Sequence, residues 1–517
     1  MSSKVTALPR SAESELRPVD AEIVIGKDLL ELLAGAMYAD PLTIFREYVQ
    51  NAADSVEERR AEGWRVSGQP DVVISLDVAE RRILIRDYGV GVPKREFVRR
   101  LTSIGASPKR GLGVRGFRGV GRLSGLGYCQ ELFFRGRAKG EDKVTELRWD
   151  VRKLRELLRD GSCAKDLSDV VRSVAETRQV VGADLPEAFF EVELRRVSRL
   201  RNDVLLDAEA VRSYLSQVAP VPFRADFSYG SEVREFLRVH GVQEPIDIRI
   251  NGDAVPVYHR AQDEIKFNDK CRDTVKTVRF FEFAGQDGDA AAFGWTLEHA
   301  YLGSIPRNLG LGGIRLRAKD IQVGGEGILS SLFSEPRFAA WAIGDVHVCS
   351  PKIVPNARRD DFEASFEYSH LQDELALVAR NLSHTIRSQS LSRRHMRRAM
   401  SECAIADEWL KCVKARRLPQ VLSIQIGEIV HARIDSARKQ LTRLPPNTSE
   451  FDVLTKRVDA LHRAVGRLAT RGAARKGRPS LQDRTIQVAL GVVLDNAASP
   501  HAGLTMSKRI LRAFERA

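Results

Sequence analysis

The stretch that decides the fold is IFREYVQNAADS, at residues 44–55. Its apolar side chains recur every three or four positions, which is the spacing of one face of an α-helix. They are Ile44, Tyr48, Val49 and Ala52. The flanking sequence, over about residues 21–202, alternates strand-like and helix-like patterns, so we predict an α/β domain that contains this helix.

The polar residues of the same helix share a second face. Glu47, Asn51 and Asp54 stand at positions i, i+4 and i+7, so their side chains point the same way. A carboxylate there can orient or deprotonate a water molecule, while an amide oxygen is a hard ligand suited to Mg²⁺. Taken alone the pattern is weak, because acids and amides on helices usually just face solvent.

A second signal is ILIRDYGVGV, at residues 83–92. An apolar strand ends at Asp87, and Gly89 and Gly91 follow at alternate positions. A carboxylate at a strand end can accept a hydrogen bond from an adenine amino group, and glycines let the backbone approach a flat base closely. A tight turn after a strand is the plainer interpretation of this segment by itself.

The third signal is a glycine-rich segment at residues 105–127, which contains GFRGVG at 116–121. Successive backbone N–H groups before a helix form a phosphate cradle, and so many glycines suit a hinged lid. Residues 111–116 match the dinucleotide pattern Gly-x-Gly-x-x-Gly, but no strand directly precedes them, so we discount that match. The chain has no Gly-x-x-x-x-Gly-Lys-Ser/Thr motif, which excludes a P-loop NTPase.

In order and spacing, the three segments resemble the ATP-site motifs of the GHKL superfamily. Within it, residues 21–38 leading into 44–47 look most like the N-terminal domain of heat-shock protein 90, and LTSIGAS at 101–107 resembles that family's lid start. The resemblance implies a Bergerat-type α/β sandwich that hydrolyses ATP to ADP and phosphate with Mg²⁺.

The resemblance also assigns roles to individual residues. Glu47 becomes the general base, Asn51 the Mg²⁺ and phosphate ligand, and Asp87 the reader of adenine. The further nucleotide contacts that it implies are Asp54, Gly89, Gly91, Ser107, Lys109, Gly116, Gly119, Val120 and Gly121. The family's threonine, which supports the adenine-binding acid from a later strand, has no counterpart in the nearest candidate strand, residues 189–195.

Residues 203–368 predict a second α/β domain, which contains IVPNARRDDF at 353–362. On sequence alone its two arginines are surface charges paired with Asp360 and Asp361. The resemblance instead implies a middle-domain arginine that reaches the γ-phosphate, and Arg359 aligns best, with Arg358 as the alternative. Such an arginine makes hydrolysis depend on domain docking.

The remaining chain, residues 369–517, predicts a basic helical region with a break at the prolines of residues 444–449. Residues 381–517 have a net charge of +15, whereas the whole chain has a net charge of +13. Residues 1–380 therefore have a net charge of −2. The seam of Leu454, Val458, Leu461, Val465 and Leu468 favours packing inside a helical bundle. Residues 1–20 read as a flexible tail.

The expected fold is therefore α/β (α+β): an ATPase sandwich, a middle domain and helices. One predicted function is a chaperone-like ATPase in which a homodimer clamps a protein client. The alternative is a GHKL ATPase that acts on nucleic acid, or in a defence complex, through the basic residues 393–397 and 471–478. No signal peptide or membrane-length apolar run is found in the sequence, so we expect a cytoplasmic protein.

Overall fold

A computed structural model describes residues 40–64, 68–103, 121–160, 166–181, 184–199, 201–415, 420–446, 449–472, 481–497 and 499–516. They form two mixed sheets and a two-stranded antiparallel sheet, followed by a helical region, which confirms the predicted α+β class. The chain divides into two compact units. The first comprises residues up to 298, 305–329 and 342–374, and the second comprises 299–304, 330–341 and 375–517. The predicted tail lies outside the described residues.

The first sheet has seven strands in the order β5-β4-β3-β6-β2-β1-β7. Their bounds are β1 (Val72–Asp77), β2 (Arg82–Asp87), β3 (Glu131–Arg137), β4 (Lys143–Asp150), β5 (Ala175–Val181), β6 (Phe189–Arg195) and β7 (Ile248–Ile250). β1 and β7 pair in parallel, and the other neighbours are antiparallel. Asp87 therefore ends a strand that is flanked on both sides, with Val72 and Phe190 as its register partners.

The two faces of this sheet differ in chemistry. One face joins a hydrophobic core with the helices α1 (Thr43–Ala61), α2 (Lys94–Thr102), α3 (Val151–Arg159), α4 (Leu167–Val174) and α5 (Ala208–Val218). All four apolar residues of the predicted α1 stripe are 3% exposed or less. Along the strands, apolar residues alternate with an arginine–glutamate ladder centred on Arg135, which pairs with Glu146, Glu191 and Glu193. Those ion pairs lower the pKa of Glu146 and of Glu193, against the opposing effect of burial.

The core of the first sheet extends past residue 202. Val211 and Leu215 of α5, Ile248 and Ile250 of β7, and Val257 all belong to it. Chain from the predicted second domain thus completes the first sheet. The domain boundaries remain predictions.

The second sheet has five strands in the order β10-β11-β14-β12-β13. A hairpin of β8 (Glu264–Asn268) and β9 (Cys271–Thr274) and a helix, α6 (Gly230–Val239), precede it in the chain. Its strands are β10 (Thr277–Ala284), β11 (Ala290–Glu298), β12 (Gly313–Ala318), β13 (Ile321–Val323) and β14 (Ile343–Val348). The loop with both candidate arginines follows β14.

The C-terminal helices are α7 (Phe366–Ala415), α8 (Gln420–Leu441), α9 (Ser449–Gly472), α10 (Leu481–Asp495) and α11 (Pro500–Arg516). Leu454, Val458, Leu461 and Val465 of α9 lie in a core shared with α7, α8, α10 and α11, which is the bundle packing that the seam predicts. Among the described residues, no helix combines the length and apolar character needed to cross a membrane.

Candidate functional site

The site begins with Glu47 on α1, whose carboxylate lies between two arginines. Its Oε1 is 3.3 Å from Nη2 of Arg46 and 3.8 Å from Nε of Arg359. The side chains of Glu47 and Arg46 are each 8% exposed. Burial of a charge is costly unless an opposite charge compensates it, and here both guanidinium groups contribute.

Arg359 reaches Glu47 from a tight loop, residues 356–361, closed by the bridge between Pro355 and Phe362. Its backbone has φ 56°, in the left-handed region that side chains other than glycine rarely adopt. The Arg359 N–H donates to the carbonyl of Asn356 at 3.2 Å, and the Arg359 carbonyl accepts from Gly324 N–H at 2.9 Å. These bonds fix a conformation that directs the guanidinium inward, where it is 12% exposed.

The two candidate arginines occupy different environments. The Arg358 side chain is 65% exposed and pairs with Asp360 at 3.1 Å, as expected for a surface charge. Only its backbone takes part in the site, because its carbonyl accepts a hydrogen bond from Arg46 at 3.3 Å. Asp361 accepts a hydrogen bond from the Tyr368 hydroxyl at 2.6 Å. Burial and this hydrogen bond raise the pKa of Tyr368. The structure therefore places Arg359, and not Arg358, beside Glu47.

The end of the glycine-rich segment also meets α1. Gly121 begins a 3₁₀ turn over Gly121–Gly127, and a Cβ atom on Gly121 would lie 2.2 Å from Oε2 of Glu47. The Tyr48 hydroxyl accepts from Gly125 N–H at 3.0 Å and donates to the Arg122 carbonyl at 3.2 Å. A side chain at position 121 would therefore displace the Glu47 carboxylate from this position. The other predicted contacts of the segment, Ser107, Lys109, Gly116, Gly119 and Val120, lie outside the described residues.

Asp87 ends β2 and is 4% exposed. Its Oδ1 accepts from Gly89 N–H at 3.0 Å. A Cβ on Gly89 would lie 2.0 Å from Oγ of Ser55, one helical turn after Asn51. Gly91 has φ 72°, and a Cβ there would lie 2.1 Å from the Arg137 carbonyl oxygen. Both glycines thus let the turn after β2 pack against α1 and β3, which brings the turn beside the polar face of α1.

Asn51 and Asp54 complete the polar face of α1. Asn51 is half-buried, and its amide forms no hydrogen bond with any residue that the structure describes, so its carbonyl oxygen and its N–H groups remain available. Asp54 is 7% exposed. The register partners of Asp87 are Phe190 of β6 and Val72 of β1, so neither neighbouring strand supplies the missing threonine at that position.

A network at the end of α1 was not predicted from the sequence. Arg59 donates to the Tyr88 carbonyl at 2.6 Å and to Asp71 at 2.7 Å, and Arg60 binds the other oxygen of Asp71 at 2.7 Å. Asp71 also accepts from the N–H of Asp247 at 3.0 Å. These bonds hold α1, the turn after Asp87 and the segment before β7 in one arrangement.

A second group of buried charges surrounds Asp345 in β14. Asp345 is 2.7 Å from Arg260, 2.9 Å from His259 and 3.1 Å from Arg317, and the two guanidinium groups hold its pKa well below the usual range despite its burial. Burial lowers the pKa of His259 to about 4, against the attraction of Asp345. A pocket borders this group, and neither Glu47 nor Asp87 lines it. We regard the Asp345 group as structural.

Comparison with known proteins gives a partial similarity. No family model matches the chain. A curated relative, the chaperone protein HtpG of Polaromonas naphthalenivorans, is 24% identical over 163 residues, which is 28% of this chain and 25% of the relative. HtpG of Rickettsia typhi is 27% identical over 149 residues, 25% of this chain and 23% of the relative. HtpG of Methylorubrum extorquens is 34% identical over 87 residues, 16% of this chain and 14% of the relative.

The chain thus spans a quarter or less of the length of these relatives. The similarity supports a distant relation, over part of the chain, to HtpG of the heat-shock protein 90 family.

Proposed function

We propose that the chain binds ATP with Mg²⁺ and hydrolyses it to ADP and phosphate as a heat-shock-protein-90-like conformational switch. The observation that carries the proposal is the position of Glu47. A buried carboxylate lies between Arg46 of its own helix and Arg359 of a distant loop, directly against Gly121. The partial similarity to HtpG points in the same direction.

In this proposal Glu47 orients the attacking water and accepts its proton. Arg359 directs its planar guanidinium, whose N–H groups can bind two oxygens at once, toward the transferred phosphoryl group, where it offsets developing charge. Bound ATP supplies that phosphoryl group, and Mg²⁺ neutralises part of its charge. Asp87 binds the adenine amino group through a carboxylate oxygen.

The metal would rest on few protein ligands. Within the described residues, no group of three or more histidine, cysteine, aspartate or glutamate side chains is placed to hold a metal ion. A single amide oxygen, with phosphate oxygens and waters, is the kind of shell that Mg²⁺ uses at nucleotide sites. The Asn51 amide lies one turn from Glu47 and forms no hydrogen bond among the described residues. Its oxygen is suited to be that Mg²⁺ ligand.

The arrangement couples the site to a distant part of the chain. Glu47 stands on a helix of the first sheet, whereas Arg359 follows the last strand of the second sheet. Any movement of the loop at 356–361 relative to α1 separates the base from its arginine. The rate of hydrolysis would therefore depend on whether the two sheets are docked.

A protein client, a homodimer and a cytoplasmic location belong to the same proposal. The names of the partial relatives, chaperone protein HtpG, support the client part of this proposal. Calorimetric titration with ATP and Mg²⁺, followed by a phosphate-release assay on the same preparation, tests the enzymatic core. Absence of both binding and release in the full chain would refute it.

A further inference from the structure

Two stretches of the C-terminal helices contain no acidic residue. One runs between Glu374 and Glu402 in α7, and the other runs between Asp435 and Glu450, through the end of α8. Contacts place them side by side and antiparallel. His395 Nδ1 is 2.8 Å from Gln440 Oε1, and Glu402 accepts from Ser436 at 3.2 Å. The two acid-free stretches therefore adjoin.

Four cations of these stretches form what we term the basic face: Arg394 and Arg398 on α7, Lys439 in the last turn of α8, and Arg443 two residues after α8 ends. All four are exposed. Arg394 and Arg398 are spaced i and i+4, about 6 Å along α7. Arg443 follows α8 in a turn in which its N–H donates to the Gln440 carbonyl at 3.2 Å. Arg394 and Lys439 each stand one residue before the contact between His395 and Gln440, so in antiparallel helices their side chains lie on the same side of that contact.

No cation of the basic face forms an ion pair with a carboxylate anywhere in the described part of the chain, whereas Arg433, Arg438 and Arg457 of the same bundle each do. Their charges are therefore not offset locally. The neighbouring Arg393 has a different role, since its guanidinium donates to the carbonyls of Ala300 and Tyr301. The basic run that the sequence analysis singled out thus divides into one structural arginine and exposed ones.

We propose that the basic face binds the phosphate backbone of double-stranded nucleic acid. A duplex carries about one charge per 1.7 Å of its axis, whereas even an all-acidic extended peptide offers only about one per 3.4 Å. Arginine is suited to phosphate because its guanidinium can pair with two oxygens. Neither 387–401 nor 436–446 contains phenylalanine, tyrosine or tryptophan, so the face lacks the large aromatic side chains on which single strands stack.

The test is fluorescence anisotropy of a labelled duplex titrated with the full chain, with no nucleotide present. One arm uses DNA and another uses RNA of the same sequence, which distinguishes the two sources of a duplex backbone. The variants are R394A/R398A and K439A/R443A, one for each stretch, with circular dichroism to verify helix content. The matched control is K456A/R463A on α9, which removes the same charge from two other exposed positions.

Removing one cation that binds a phosphate should weaken binding roughly eightfold at about 0.1 M salt, and should reduce the slope of log affinity against log salt by about 0.9. We therefore expect a loss of roughly 60-fold for each face variant, and a loss several times smaller for the control. Equal losses in control and face variants would overturn the proposal. So would no binding by the unmodified chain, or a stronger affinity for polyglutamate than for either duplex. None of these results bears on ATP hydrolysis, which the assay does not require.

Discussion

Replacing Arg359 with alanine should abolish most of the ATPase activity while ATP affinity stays nearly unchanged. The side chain is 12% exposed and lies 3.8 Å from the Glu47 carboxylate. At that separation an effective dielectric constant of about 20 gives an attraction of about 4 kcal/mol before desolvation is subtracted. Glu47 keeps Arg46 at 3.3 Å, so the variant does not leave a bare buried charge, and we expect the unfolding free energy to fall by only about 1–2 kcal/mol.

The effect on catalysis should be much larger. An arginine that stabilises phosphoryl transfer is worth roughly 10³–10⁵ in turnover, so we expect R359A to lose about a thousandfold in kcat. ATP binding, which the proposal assigns to Asp87 and Asn51, should change less than about threefold. Phosphate release at saturating ATP measures the first quantity, and calorimetry measures the second.

R358A is the matched control, because it removes an adjacent arginine whose side chain is 65% exposed and paired with Asp360. Its turnover should stay within about twofold of the unmodified chain, since only the Arg358 carbonyl contacts Arg46. Normal turnover in R359A, or a greater loss in R358A, would refute the reasoning from the loop geometry.

The other predictions concern the base, the adenine acid and acid stability. E47A should bind ATP but lose about 10²–10⁴ in hydrolysis by the same two assays, and full activity would remove Glu47 as the base. D87N should weaken ATP binding at least about tenfold in calorimetry, and unchanged affinity would remove Asp87 from the adenine site. Burial lowers the pKa of His259 to about 4 and that of His347 to about 3, so the unfolded chain binds more protons than the folded chain as pH falls below about 6.5. The free energy of unfolding should therefore fall by roughly 2 kcal/mol for each histidine as the pH is lowered from 7 to 5. Urea unfolding curves that coincide at the two pH values would contradict this.

Local pattern was enough to predict the elements that carry the site. The stripe through Ile44 and Tyr48 gave α1, and the apolar run before Asp87 gave β2, because helical and strand periodicities are properties of short segments. The structure places Gly121, the end of the predicted glycine-rich run, beside Glu47. The roles assigned to these residues in nucleotide binding remain predictions.

Spacing rules could not predict the charges around Glu47. Arg46 is its immediate neighbour on a helix, and adjacent residues do not normally face each other. Their contact at 3.3 Å arises because both side chains are buried and turn toward the loop at 356–361. Similarly, the bonds from Arg59 to Asp71 and Tyr88 depend on strand register and chain path, which no short window of sequence contains.

The sequence could not decide which of the two arginines lies beside Glu47, because the answer depends on the backbone conformation of their loop. Both belong to one short charged run, and on sequence alone either could pair with Asp360. The left-handed backbone at Arg359 reverses the direction of the chain there, so one guanidinium faces solvent and the next faces Glu47. A guanidinium has two forked edges, so Arg359 can keep its Nε beside Glu47 and direct its terminal nitrogens to a phosphoryl group. The backbone of this loop, more than the identity of its side chains, therefore determines which of the two arginines lies beside the proposed base.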